Sequence, residues 1–405
     1  MKKKLKNTIK IPVEQKNKII WVNLLHFYQP PTADNETIIE ATEKSYKRIA
    51  DALKKNKQIK FTVNITGCLL EKLSYLGHQE LINDFKKLFQ NGQIELMGSA
   101  AFHPLLALLP KKEIIRQIKI NEEILKKYFG KNLKLQGFFI PEAAYGIKVA
   151  KIIKKLKYQW IMLDEISANI KQNNLNFSNL YIDKNSNLKI LFRQRKKSQK
   201  YVPKLINELL EKNNKNQTII TATDAELYGL KHNDLSYNFE KLLKSREIKT
   251  LTASEYLKNL KQTQKISLRA SSWESTKKQL KNNLPYFLWY NKKNKIQIFL
   301  WKLVDLAIKN VNKNTKDRNY FWSRQHLDRG LASCTFWWAS GHDFKLFGPI
   351  SWNPDEIEKG TNELIKSIRS LANPKTKTIK IQAEKLYIKI KSLIWHKHWN
   401  NYWEK

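Results

Sequence analysis

Two acidic positions close apolar runs in a way that suits glycosyl and proton chemistry. Glu142 follows Gly137-Phe138-Phe139-Ile140-Pro141, and Asp224 closes Ile219-Ile220-Thr221-Ala222-Thr223, with Glu226 two residues further on. Two carboxyls brought to one site are what glycosidic cleavage asks for. One attacks or stabilises the anomeric carbon; the other, protonated first, releases the leaving oxygen. Each also has a plainer local role, since a glutamate at a helix start is favoured by the helix dipole and an aspartate at a strand end caps the next helix. Other polar residues recur at matching places: His26 and Gln29 in His26-Phe27-Tyr28-Gln29-Pro30, His103 in His103-Pro104, Asp164-Glu165, Arg193, and Ser254-Glu255. No third ligand joins His26 and His103 at metal-binding spacing, so neither a metal nor a cofactor is expected. The two histidines read as partners for substrate hydroxyls or for the carboxylates, or else as buried structural residues. Trp337-Trp338 suit stacking on sugar rings; packing between helices is the alternative.

The elements that must position these residues alternate up to about Leu257. Strands are predicted at Ile19–Leu25, Ile59–Asn64, Ile94–Met97, Leu135–Ile140, Trp160–Leu163, Leu188–Phe192, Ile219–Thr223 and Ile248–Leu251. Amphipathic helical segments lie between most of them, at Thr37–Lys55, Gln79–Phe89, Lys111–Phe129, Ile147–Leu156, Lys204–Glu211 and Leu235–Lys244. A βαβα series of this length implies an α/β fold with a parallel sheet, either closed into a barrel or doubly wound. Each polar group above falls at the C-terminal end of a strand, and in a β/α barrel those ends form one rim that carries the active site. Neither a G-x-G-x-x-G after the first strand nor a P-loop occurs, which argues against nucleotide binding. After about Ser267 the pattern turns helical, at Trp273–Tyr290, Lys295–Lys309, Asp317–Ala339, Asp355–Leu371 and Lys375–Trp395. With no Pro- or Gly-rich linker between the parts, the helical region is expected to dock on the barrel. The division is thus a basic lead-in (1–18), a catalytic β/α domain (19–266) and a helical region (267–405).

The chain has 405 residues, of which 41% are hydrophobic, enough to bury a sizeable core and to exclude the disordered class. Its net charge of +39 invites a nucleic-acid reading. Its lysines are spread over nearly every helix, however, and arginine, which makes bidentate phosphate and base contacts, is sparse. Solvated basic faces with weak polyanion affinity at low salt are expected, without a specific nucleic-acid partner. Two distant cysteines, Cys68 and Cys334, form no disulfide framework. With no apolar stretch of signal or membrane-spanning length, a cytoplasmic, membrane-free protein is expected. Nothing in the sequence fixes the oligomeric state.

Taken in order, these motifs resemble glycoside hydrolase family 57. His26-Phe27-Tyr28-Gln29-Pro30 is similar to the family's H-x-H-Q-P, with Tyr28 in place of the second histidine. Gly92-Gln93-Ile94-Glu95 followed by His103-Pro104 resembles its second motif, and Phe139-Ile140-Pro141-Glu142 its W-x-P-E, with Phe139 for the tryptophan. Asp224-Ala225-Glu226 resembles its D-[AG]-E. At the fifth motif, Ser333-Cys334-Thr335-Phe336-Trp337-Trp338 keeps the aromatics but not the family's aspartate. The resemblance implies an incomplete seven-fold β/α barrel, an α-glucan or maltooligosaccharide substrate, and a retaining mechanism without a catalytic metal. It makes Glu142 the nucleophile and Asp224 the acid/base, and leaves His26, Gln29, His103, Arg193, Glu226, Trp337 and Trp338 to bind substrate. Competing readings are a metal-dependent polysaccharide deacetylase, which needs an Asp/His/His set not found here, and a non-catalytic glucan- or polyanion-binding protein.

Overall fold

The computed structural model describes residues 18–169, 175–341 and 352–402. All but the last residue of the expected lead-in therefore lies outside the described residues. Among the described residues ten strands form two five-stranded sheets: β1 Ile19–Phe27, β2 Phe61–Ile65, β3 Ile94–Leu96, β4 Gly137–Phe139, β5 Trp160–Asp164, β6 Asn179–Asp183, β7 Lys189–Arg193, β8 Thr218–Asp224, β9 Ile248–Thr250 and β10 Gln262–Ile266. The first sheet runs β3-β2-β1-β8, with β9 also on β1, and all its pairings are parallel. The second runs β10-β6-β7-β5-β4 and is parallel except for β6 against β7. The fold is thus α/β with mainly parallel sheets, and no continuous strand ladder closes it among the described residues. At one edge Gly98 donates to Gly137 O (2.9 Å) and accepts from Phe139 N (2.8 Å); at the other, Gln194 N donates to Ile220 O (2.9 Å). The first contact needs bare backbone, because a Cβ on Gly98 would run into the Tyr158 ring and one on Gly137 into Trp160.

Side-chain alternation assigns each strand residue to one face. On β1, Val22 and Leu24 fill the space between the sheets, while Trp21, Leu25 and Phe27 pack outward under helices. Phe139, Trp160, Met162, Leu191, Ile220 and Ala222 share the inner space; Phe138, Ile161, Leu163, Ile190 and Phe192 face a second core outside. Continued by two residues, the same parity sends His26, Asp164, Arg193 and Asp224 inward at the C-terminal strand ends.

The structure departs from the sequence reading in a few elements. Strands β6 and β10 were not expected: β10, Gln262-Thr263-Gln264-Lys265-Ile266, is polar and exposed except at Ile266, so it offers no apolar alternation. Trp273–Tyr290 is not one helix, since only Lys277–Lys281 is helical. Its start is committed elsewhere, with Trp273 N donating to Glu142 O (3.1 Å), and Pro285 follows the left-handed Asn283 (φ 55°). Asp317–Ala339 is two helices, Tyr320–Gly330 and Ser333–Trp338, because Ala332 pairs with Pro104 and Ser333 N donates to His103 O (3.0 Å). Helices Lys295–Lys313, Pro354–Arg369 and Lys377–Tyr402 complete the C-terminal region. Their apolar faces, including Leu300, Val304, Ile357 and Leu364, share one core with β5 and β7. Among the described residues no helix is long and apolar enough to cross a membrane.

Candidate active site

Glu142 sits one turn beyond β4 and is 9% exposed. Its backbone is left-handed (φ 60°, ψ 15°), as are those of Ala143 (φ 46°) and His103 (φ 52°). Non-glycine residues held in this region cost energy that only surrounding contacts repay, and such residues cluster at functional sites. The contacts here are specific. Ser333 Oγ donates to Glu142 Oε1 (2.7 Å) and Trp273 Nε1 to Oε2 (3.0 Å). Since the Ser333 hydrogen goes to Glu142, its oxygen accepts from His103 Nδ1 (3.0 Å), giving a directed chain from imidazole through hydroxyl to carboxylate. Both bonds on Glu142 favour its charged form, yet burial outweighs them and lifts its pKa to about 7, with the charge of Asp224 acting in the same direction.

Asp224 ends β8, where its register partner on β1 is His26. Burial alone would raise its pKa. The Lys231 ammonium, 2.9 Å from Oδ2, together with His26 and Arg193, outweighs that and holds the carboxyl below its usual range. Lys231 returns to Asp224 because the intervening turn is tight: Lys231 N donates to Glu226 O (2.7 Å). Within it Gly229 has φ +140°, and any Cβ there would strike the Lys44 carbonyl.

His26 Nδ1 lies 2.7 Å from Asn64 Oδ1, and its ring stacks on Phe139 (4.5 Å) and His103 (4.8 Å). Burial lowers the His26 pKa to about 4 and takes that of His103 well below its ordinary value, so both rings are neutral near pH 7. With each Nδ1 engaged, both Nε2 atoms are buried and lack a protein partner. A buried acceptor of that kind asks for a donor.

The remaining expected residues divide. Gln29 donates through Nε2 to Glu226 Oε1 (3.0 Å), which also accepts from Tyr46 Oη. Glu226 is buried, its pKa is pushed up to about 7 by burial, and it braces the turn after β8. Arg193 is bound to Asp164 (Nε to Oδ2, 2.7 Å) and lies 4.9 Å from the Trp273 ring centroid, behind the indole that holds Glu142. Trp337 and Trp338 are half-buried against the main core; the neighbouring Ser333 is the residue of that helix that reaches Glu142. Cys334 Sγ lies 3.3 Å from Tyr28 Oη, joining the first-motif tyrosine to the fifth-motif stretch. Cys68 is close by, 3.9 Å from the Gln29 carbonyl. Ser333, Trp273 and Lys231 were not singled out from sequence. Ser333 lay within a quoted motif, but nothing in its composition pointed to Glu142. Among the described residues no group of three or more His, Cys, Asp or Glu side chains is placed to hold a metal ion.

Comparison with known proteins bears on the family and the fold. An alpha-amylase of Pyrococcus horikoshii is 25% identical over 191 residues, which cover 46% of this chain and 29% of that protein. A 4-alpha-glucanotransferase of Thermococcus litoralis is 23% identical over 258 residues, covering 58% and 38%. The chain thus spans well under half the length of these curated relatives. The crystal structure of a 4-alpha-glucanotransferase from Thermococcus litoralis matches with a TM-score of 0.70 at 16% identity, over 88% of this chain and 60% of the other. A branching enzyme from Thermococcus kodakaraensis matches with a TM-score of 0.67 at 14% identity, over 93% and 96%. Residues 4–269 match the sequence profile described as Glycosyl hydrolase family 57, and the chain belongs to that family.

Proposed function

We propose that this protein is a retaining enzyme of α-glucans, hydrolysing them or transferring 4-α-glucan segments, with Glu142 as nucleophile and Asp224 as acid/base. The observation that carries the reading is the buried, doubly hydrogen-bonded Glu142 carboxylate at a strained backbone position, electrostatically coupled to Asp224 at the same strand ends. Family membership supports the substrate class, as do the relatives named alpha-amylase and 4-alpha-glucanotransferase. In this reading His26 and His103 accept hydrogen bonds from sugar hydroxyls through Nε2. Glu142 attacks the anomeric carbon while Asp224 protonates the leaving oxygen. Asp224 then deprotonates the incoming water or sugar hydroxyl, and the second inversion restores the α-configuration.

The strand order supports an incomplete seven-stranded barrel, β8-β1-β2-β3 continuing through Gly98 to β4-β5-β7 and back through Gln194 to β8. A division near residues 266–267 suits it, with the helical region supplying Trp273 and Ser333 to the site.

The deciding experiment is incubation with maltooligosaccharides and glycogen, resolving products by chain length. Shorter products alone identify a hydrolase; shorter and longer products together identify a transferase. No change in any chain length would overturn the assignment.

A further inference from the structure

A cavity of about 660 Å³ opens beside the candidate site, between the turn after β1 and three helices, Gly67–Tyr75, Lys111–Phe129 and Tyr320–Gly330. Its volume falls within the range of ligand pockets. The geometry points to it as a subsite for the non-reacting part of an α-glucan chain, several glucosyl units from the bond that is cut. The inference rests on the α-glucan reading above and extends it to chain-length selection.

Continuity with the site is the first argument. Gln29 lines the cavity and also donates to Glu226, two residues from Asp224; Cys68, on the same wall, lies against the Gln29 carbonyl. Gln29 is thus shared between the cavity wall and the turn that carries Asp224.

Charge is the second. The wall carries Lys72, Arg116 and Arg329 against Glu71 and Asp328. Arg116 pairs with Asp328 (2.9 Å), Glu71 with Lys127 (2.9 Å) and Arg329 with Glu363 (4.0 Å), and the Lys72 ammonium lies 5.4 Å from the centroid of the Tyr75 ring. In a molecule of net charge +39, a wall whose charges are mostly paired offers donors and acceptors with little net field, which suits an uncharged polyhydroxyl better than a phosphate or a polyanion.

The third is Tyr75. It is 78% exposed at the cavity wall, on a helix whose Leu69, Leu70 and Leu73 are buried. Nothing in the packing of that helix requires an aromatic ring there. A flat ring facing open space matches the C–H face of a glucosyl unit.

The test pairs two measurements. A Glu142→Gln protein is titrated with maltoheptaose by calorimetry, with and without Tyr75→Ala. The otherwise native protein and its Tyr75→Ala variant are assayed on maltotriose and maltoheptaose. Tyr75→Ala is expected to weaken maltoheptaose binding about tenfold, to raise KM while kcat holds, and to cost less on maltotriose. Ile388→Ala, which trims an exposed side chain of the C-terminal helix, leaves every constant unchanged. Equal maltoheptaose affinity with and without the ring, or an equal loss at both chain lengths, overturns the subsite while the enzymatic reading stands. A native protein that neither binds nor alters any α-glucan overturns both.

Discussion

The resting charges of the two carboxyls run against the work assigned to them. Burial holds Glu142 protonated up to about pH 7, whereas Lys231 keeps Asp224 ionised. A nucleophile must be ionised and an acid protonated; with the Glu142 pKa above that of Asp224, that productive form is a constant minor fraction between the two pKa values, so kcat/KM is expected to fall on the alkaline side of about pH 7. Ser333 and Trp273 both stabilise the carboxylate; Ser333→Ala or Trp273→Phe should therefore move that limb to higher pH. A pH–rate profile checks this, and a limb that stays put or moves down would refute it. Asp224 has the lower pKa of the two, so Lys231→Met, which releases it from its ion pair, should move the acid limb upward. The roles separate by product. Asp224→Ala should lose about 10²–10⁴-fold on glucans yet still form a glycosyl adduct from an activated aryl α-glucoside. Azide should rescue that variant to an α-glycosyl azide through two inversions. Glu142→Ala should form no adduct, and azide attack there gives the β-anomer; an adduct on any other residue would reverse the assignment. The sequence made Glu142 and Asp224 legible because each ends an apolar run. It hid Ser333, Trp273 and Lys231, whose partners lie 191, 131 and 7 residues away and whose types are common in any helix or turn.

At the scale of elements, strand parity was readable and breaks in helices were not. Alternation along β1 and β8 suffices to aim His26 and Asp224 inward. The interruption at Leu331–Ala332 answers to Pro104 and His103, more than 200 residues earlier, with Gly330 the one local sign of it in the sequence. The same holds for the π-helical stretch Thr42–Tyr46, which brings Tyr46 to Glu226. Docking of the helical region on a barrel was expected from the missing linker; what the structure gives is a buried ion-pair cluster joining helix Tyr320–Gly330 to helix Lys111–Phe129. Arg324, on Tyr320–Gly330, donates to Asp328 and to both Glu113 oxygens on Lys111–Phe129. Removing one member of such a cluster strands buried charge at a cost of about 3–5 kcal/mol. Arg324→Met should lower the denaturation midpoint accordingly in a urea titration, and a midpoint within error of the native one would show the cluster to be energetically neutral.

For the whole molecule, the charge and the chemistry separate. The lysines that make up the net +39 are spread along the chain, while the candidate site is assembled from carboxylates, neutral imidazoles and indole. Retention on a polyanionic resin should vanish as salt rises, without a matching change in turnover. Chelation is a sharper check. EDTA should leave activity intact, and a loss restored by zinc would tie His26 and His103 to a metal.

The meeting of Cys334 with Tyr28, and Cys68 beside it, has a practical consequence. Burial pushes the Cys68 thiol up to about 12 and raises that of Cys334 as well, so neither supplies much thiolate at neutral pH. Cys334 lies on Ser333–Trp338 and is part-exposed, whereas Cys68 lies on Gly67–Tyr75, buried at the cavity wall. Pulses of an alkylating reagent followed by peptide mass spectrometry would then read two environments. Label on Cys334 sets the folded-state baseline, and loss of Cys68 label on adding maltoheptaose would report an occupied cavity.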